Sequence, residues 1–260
     1  MHAVAIIPAR FASSRFPGKM LADRTGKPLV QHVWERVRLA RRVDRVIVAT
    51  DDARIADAVR TFGGEATMTR ADHPNGTTRI AEVAASLDSE LVVNVQGDEP
   101  EIDPALIDRV VELLDDRPDC PMATLAAPCM DATDFANPNI VKVVLRRDGT
   151  ALCFSRAPIP FDRDRAGEVA PLRHIGIYGY RRDFLPRYVA MPETPLERCE
   201  RLEQLRALEH GVPIAVAIVD ATVHGIDTPE QYDRFVDRCA AAAAAAAPGK
   251  DLGSGSGQPR

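Results

Sequence analysis

The chain has 260 residues, of which 45% are hydrophobic and 27% charged, with a formal net charge of −5. That length suits one large domain or two small ones, and the apolar share excludes global disorder. The acidic balance argues against a nucleic-acid binder dominated by phosphate contacts, but it leaves room for a local basic pocket.

No apolar run approaches the roughly 20 residues of a membrane span. The opening MHAVAIIPAR has too short an apolar stretch for a signal peptide. The cysteines Cys120, Cys129, Cys153, Cys199 and Cys239 are scattered and form no CxxC pair. They read as reduced thiols, not as a zinc site or a disulfide framework. A soluble cytoplasmic protein is expected.

In chain order, VAIIP (4–8) reads as a buried first strand. PLVQHVWERVRLA (28–40) has helical apolar spacing at Leu29, Val33, Val37 and Ala40. RVIVAT (45–50) is a second strand, ending at Asp51 and Asp52. ARIADAVRTFG is a helix closed by glycine. TTRIAEVAASL (77–87) is a helix, LVVNV (91–95) a strand and ALIDRVVELLDD (105–116) another helix. Strands alternating with helices predict a three-layer, mostly parallel α/β sheet of Rossmann-like kind.

After about residue 120 the rhythm changes. MATLAAP, IVKVVL, ALCFS and RHIGIYGY are strand-like, with fewer helices between them. They predict an antiparallel extension, a substrate-binding or dimerisation lobe over about 125–190. TPLERCERLEQLRALEHG (194–211) reads as one long helix. Thr194 and Glu197 form a capping box, Pro195 takes the first helical position and Gly211 the stop. PIAVAIVD is a late strand and TPEQYDRFVDRCA a last helix. Residues 1–239 are thus read as one domain. Ala240–Ala247 can extend the last helix, since alanine is the best helix former, and KDLGSGSGQPR is a flexible tail.

The first strand delivers the loop PARFASSRFPGK. Arg10, Arg15 and Lys19 stand there, with Ser13, Ser14 and Gly18 between. Three cations among small residues at a strand-to-helix turn make a phosphate cradle: arginine grips with a planar fork and lysine adds a point charge. The plain alternative is a solvated basic loop. It is not a Walker A loop, because Ser13 replaces the first glycine and Met20 the final hydroxyl. The dinucleotide fingerprint GxGxxG is absent. An ordinary P-loop NTPase and an NAD oxidoreductase both lose support.

LVVNVQGDEP (91–100) raises the second chemical signal. A buried-looking strand runs into Asp98 and Glu99. A carboxylate is costly to bury unless it is paired or holds a metal. In open α/β sheets, ligands sit beyond the carboxyl ends of strands.

IIPARFASSRFPGKML, VATDD, MTRADHPNGTTRIAEV, VVNVQGDEP, NPNIVKVV, FSRAPIPFDRD, RHIGIYGY, LEQLRALEHG and GIDTPEQYDR occur in register over residues 3–237. In this the chain resembles the 3-deoxy-D-manno-octulosonate (Kdo) cytidylyltransferases. The resemblance implies a nucleotidyltransferase α/β fold and synthesis of CMP-Kdo from CTP and Kdo, with release of pyrophosphate. It also implies Mg²⁺, a homodimer and supply of lipopolysaccharide synthesis. Two positions depart from the pattern: Asn75 stands for serine and Thr78 for an acid, while Gly76, Thr77 and Arg79 remain.

By that resemblance Arg10 and Lys19, with Arg15, hold the triphosphate. Asp98 and Asp227 hold Mg²⁺, and Glu99 is a structural acid. The residues alone offer a second role at the last helix, where Asp227 or Thr228 precedes Pro229 as an N-cap. Backbone near Ala9, with Gln96 and Arg79, serves the nucleotide. Arg156, His174, Tyr178, Glu203 and Gln204 match the family's sugar positions, with Arg156 for the sugar carboxylate. His174 and Tyr178, at i and i+4 in a strand, share a face. Taken alone, these five are equally ordinary packing or surface residues. The competing functions are activation of a related acidic sugar, such as sialic acid or amino-Kdo, and nucleotide binding without catalysis.

Overall fold

The structure is a computed structural model that describes residues 2–13, 15–129, 131–221 and 225–246. Ser14, Ala247 and the tail lie outside the described residues. The first half alternates as the apolar periodicity dictates. Strands β1 (Ala3–Ala9), β2 (Arg45–Thr50), β3 (Glu65–Met68) and β4 (Leu91–Asn94) alternate with helices α1 (Leu29–Val37), α2 (Ala53–Thr61), α3 (Gly76–Ala84) and α4 (Pro104–Asp116). All four strands are parallel, in spatial order β3-β2-β1-β4, with Ile6 opposite Ile47 and Asn94.

The second half holds β5 (Met122–Pro128), α5 (Ala132–Ala136), β6 (Lys142–Leu145), β7 (Ala151–Ser155) and β8 (Leu172–Arg181). It continues through α6 (Leu185–Val189), α7 (Pro195–Glu200), α8 (Gln204–Glu209), β9 (Ile214–Ile218) and α9 (Pro229–Ala246). Strand β8 runs antiparallel between β4 and β5, and β9 lies parallel outside β5. The β6–β7 hairpin branches from β8. The mostly parallel sheet with an antiparallel extension is therefore observed.

Each strand of the sheet centre is covered on both faces, so apolar residues run without alternation. Ile7, Val48 and Val93 pack with Val33, Ile107 and Val110 on one face. Ile6, Ile47 and Val92 pack with Ile80, Tyr180 and Leu205 on the other.

Three short elements, β3, α5 and α6, carry too few residues for their periodicity to predict them. The single long helix expected over 194–211 is corrected: it breaks into α7 and α8 at Arg201, which takes the left-handed conformation (φ 54°). Tertiary hydrogen bonds explain the break. Glu200 accepts from Ser155 Oγ (2.6 Å) and Arg156 N (2.9 Å), while its carbonyl accepts from Arg156 Nε (2.7 Å). These bonds pull the chain out of helical register. Half of the expected capping box forms: Glu197 Oε2 accepts from Thr194 N (3.3 Å), while Thr194 Oγ1 has no hydrogen-bond partner among the described residues. Helix α9 takes in the alanine tract as far as Ala246.

Candidate active site

The carboxyl ends of β1 and β4 open into a cavity of about 300 Å³. Ala9, Arg10, Arg15, Lys19, Arg79, Gln96, Asp98 and Asp227 all line it. The site is built from strand ends. Strand β1 ends at Ala9 and releases the basic loop. Gly18 then turns in the left-handed region (φ 71°), and a single 3-10 turn over Lys19–Leu21 aims Lys19 back under the sheet. Strand β4 ends at Asn94, and a tight turn in which Glu99 N donates to Gln96 O presents Asp98. Ile226 N donates to Asp98 O (2.8 Å), which docks the segment carrying Asp227 against that turn. Thr228 Oγ1 accepts from Gln231 N and acts as cap for α9, which leaves the Asp227 carboxylate to the site.

The centre is an ion cluster. Lys19 Nζ donates to Asp98 Oδ2 (2.7 Å), to the Ile226 carbonyl (2.8 Å) and to Asp227 Oδ1 (3.4 Å). Arg15 pairs with the other Asp227 oxygen at 3.0 Å. The Lys19 side chain is 9% exposed, so its charge acts in a poorly hydrated setting. Arg10 is exposed at the cavity wall. Arg79 is buried and braced: its guanidinium donates to Thr69 Oγ1 and the Arg70 carbonyl and pairs with Asp51 at 3.4 Å. It forms wall rather than a loose arm. Glu99 is buried, and its Oε2 has no hydrogen-bond partner among the described residues. Burial, then the Asp98 charge, push its carboxyl up to about 8.

Helix α3 closes the far side. Asn75, in place of serine, still caps it: Oδ1 accepts from Thr78 N (2.9 Å). The cap chemistry survives the substitution, since both residue types accept from the first turn. Thr78 turns its hydroxyl onto the Asn75 carbonyl (3.1 Å), so no carboxylate stands in the first turn of α3.

The sugar-binding candidates divide. His174 and Tyr178 share a face, with rings 5.3 Å apart. A bulge in β8 lies between them, but it takes in an even number of residues and so keeps the face. The one proton of Thr124 Oγ1 goes to the Ile177 carbonyl (2.7 Å), so His174 Nε2 donates to that hydroxyl (2.9 Å) and Nδ1 is left as an acceptor. Burial pushes His174 down to about 3, so the ring is neutral. Glu203 accepts from Thr77 Oγ1 (3.2 Å) behind the α3 wall, and Gln204 beside it is buried. A second cavity of about 770 Å³ shares Asp227 and includes His174, whereas Tyr178, Glu203, Gln204 and Arg156 line neither of the two. Arg156 is turned to the backbone. Its guanidinium donates to the carbonyls of Pro138, Glu200 and Arg201 instead.

Gly97 also shapes the site, although its position in the chain carries no distinguishing signal. A Cβ there would stand 2.9 Å from the Pro8 carbonyl and 3.2 Å from Met20 Sδ, which together form the cavity floor. Gly97→Ala should cost about 1–3 kcal/mol by overpacking and lift that floor. A lower Tm together with weaker nucleoside triphosphate binding in a titration is the expected pair of results.

A buried lysine between the carboxylate of the β4 turn and that of the segment before α9, ringed by arginines at the end of a parallel sheet, defines a site for a polyphosphate and belongs to the nucleotidyltransferase class of α/β folds. The cytidylyltransferase family model matches residues 4–214. A 3-deoxy-manno-octulosonate cytidylyltransferase from Syntrophotalea carbinolica is 54% identical, covering 90% of this chain and 97% of its own. Its namesake from Geobacter sulfurreducens is 50% identical over 92% and 99%. Among solved structures, a CMP:2-keto-3-deoxy-manno-octonic acid synthetase complexed with CTP superposes with a TM-score of 0.89 at 44% identity, covering 93% of this chain and all of that one. The chain belongs to the cytidylyltransferase family and, within it, to the 3-deoxy-manno-octulosonate cytidylyltransferases.

Proposed function

We propose that the protein transfers the cytidylyl group of CTP to Kdo, giving CMP-Kdo and pyrophosphate. The observation that carries this reading is the convergence of Lys19, Asp98 and Asp227 at the end of β4, inside a cavity walled by Arg10, Arg15 and the N-terminus of α3. In the reaction a sugar hydroxyl oxygen bonds to the α-phosphorus as the bond to the β-phosphate oxygen breaks. Such a transfer needs positioning and charge neutralisation above all. Arg10 and Arg15 take the outer phosphates, and Lys19 adds a buried positive charge. Backbone at Ala9, with Gln96 and the braced Arg79, frames the base. The sugar enters beside Asp227, toward the neutral His174, Tyr178, Glu203 and Gln204. Arg156 serves this side by holding the 200–201 corner in place.

Mg²⁺ fits the carboxylate pair. Both carboxylates reach a single Nζ, so both can reach a single small cation, and both offer the hard oxygen ligands that Mg²⁺ prefers. Among the described residues no third histidine, cysteine or carboxylate joins them, which leaves positions for phosphate oxygens and water. When bound, the ion would polarise the α-phosphate and neutralise the leaving pyrophosphate.

The reading includes a cytoplasmic homodimer and use of the product in lipopolysaccharide synthesis. No helix among the described residues is long and apolar enough to cross a membrane. Phe161 (87% exposed), Val169 and Leu152 are apolar side chains exposed in the second half of the chain, which supports the dimer reading. Pyrophosphate release tests the reaction. With Mg²⁺ and CTP it should require Kdo, and UTP or ATP should not replace CTP. Release with amino-Kdo or sialic acid alone would reassign the sugar, and no release with any pair would leave nucleotide binding only.

A further inference from the structure

Lys142 is fully buried, yet no step of the proposed reaction uses it. It opens β6, and its ammonium is committed to main chain. Nζ donates to the carbonyls of Ile140 (2.6 Å), Arg156 (2.7 Å) and Asn137 (2.9 Å). Burial lowers its pKa from the ordinary lysine value, but three acceptors need three N–H groups, and only the charged form has three. A buried charge is costly unless it is satisfied in this way. An apolar side chain of the same reach would avoid that cost and release all three carbonyls.

Those carbonyls share their neighbourhood. Asn137 and Ile140 belong to the loop whose Asn139, Ile140 and Val141 wall the second cavity. The Val141 carbonyl accepts from His174 N (2.8 Å), which seats the His174 side of that cavity. Arg156 is itself a clamp. Its guanidinium reaches back to Pro138 in the same loop (3.0 Å) and across to Glu200 (2.7 Å) and Arg201 (3.4 Å), just before Glu203 and Gln204. Two cations thus gather six main-chain carbonyls from the segments 137–140, 156 and 200–201. These residues lie outside the nucleotide cavity.

We propose that Lys142 is a positioning residue for the sugar. It locks the 137–140 loop to Arg156, and through Arg156 to the 200–201 corner, so both flanks of the sugar side are held in one geometry. This rests on the reading that the sugar enters the second cavity beside Asp227, toward His174. Lys142 touches no substrate itself. Its effect falls on the sugar and not on the nucleotide, because the carbonyls it gathers belong to the second cavity and the 200–201 corner.

The test is steady-state kinetics of the full chain with Mg²⁺, varying CTP and Kdo separately. Lys142→Met keeps the reach and the buried stem and removes the ammonium. The Kdo KM should rise about 10-fold, the scale of a lost hydrogen bond to a charged group, with the CTP KM changed by less than about 2-fold. A lysine that only stabilises the fold would lower Tm and leave both KM values alone. That result, or equal rises in both, overturns the proposal. Arg156→Met should act alike, and the double variant should exceed the larger single effect by less than about 2-fold, because the two cations act as one unit. Effects that multiply would overturn the clamp. If Lys142→Met does not fold, Lys142→Gln keeps two N–H donors and carries the test: about a 3-fold rise in the Kdo KM is expected, and no rise overturns the proposal. Asn139→Asp separates the two layers. It adds a carboxylate at an exposed position of the second cavity's wall and should raise the KM of an acidic sugar about 3-fold. A rise there with normal Lys142 variants sinks the clamp alone; no rise sinks the placement of the sugar in this cavity.

Discussion

Asp98→Asn should lower kcat for pyrophosphate release by about a thousandfold or more, the scale of losing a principal electrostatic group at the reacting centre. Asparagine keeps the shape and removes the charge. The strand end loses one of two carboxylates able to share a cation, and Lys19 loses its shortest partner, at 2.7 Å. The fold should survive, because Lys19 Nζ keeps the Ile226 carbonyl and Asp227, and the Asp98 carbonyl still accepts from Ile226 N. Turnover with CTP, Kdo and Mg²⁺ is measured beside a thermal melt. A folded variant with wild-type kcat would remove Asp98 from the chemistry.

Lys19→Met should reduce kcat/KM for CTP by about 100-fold or more, since a desolvated charge next to phosphate is worth several kcal/mol in transition-state and ground-state binding together. Methionine has similar reach and suits the buried stem. What it removes is the ammonium that both carboxylates share. Asp98 and Asp227 are then left facing each other, and their repulsion opposes the arrival of a triphosphate. Lys19→Arg should not rescue, because the planar fork does not fit where a compact point charge reaches three acceptors. Titration of CTP without sugar reports the binding share directly, and unchanged CTP affinity in Lys19→Met would contradict the cradle.

Much of the cavity was legible in the chain because strands and their ends obey local rules. The periodicity of residues 4–8, 45–50 and 91–95 locates three neighbouring strands, and the first and third deliver polar residues to the cavity at their carboxyl ends. The helix start at Pro195 was legible for the same reason. The break at Arg201 was not, because the residues that cause it, Ser155 and Arg156, lie more than forty positions away. Arg156 shows the same limit. Its place in the chain suits a ligand of the sugar carboxylate, yet its guanidinium is occupied by three backbone carbonyls. Thr77, which reaches Glu203, carried no local signal, since a threonine in a first helical turn is ordinary in itself.

The alternation of strands and helices, the antiparallel second half, the basic loop after the first strand and the membership of the family are all readable in the order of residues. Local periodicity, capping and turn chemistry suffice for these, because they act over a few residues. Folding alone brings Lys19 between Asp98 and Asp227, 79 and 208 positions away, and Thr77 to Glu203, 126 positions away. Those meetings depend on the order in which strands join the sheet and on the segment that docks beside β4. That order is set by how two apolar faces are buried at once, which no stretch of the chain encodes alone.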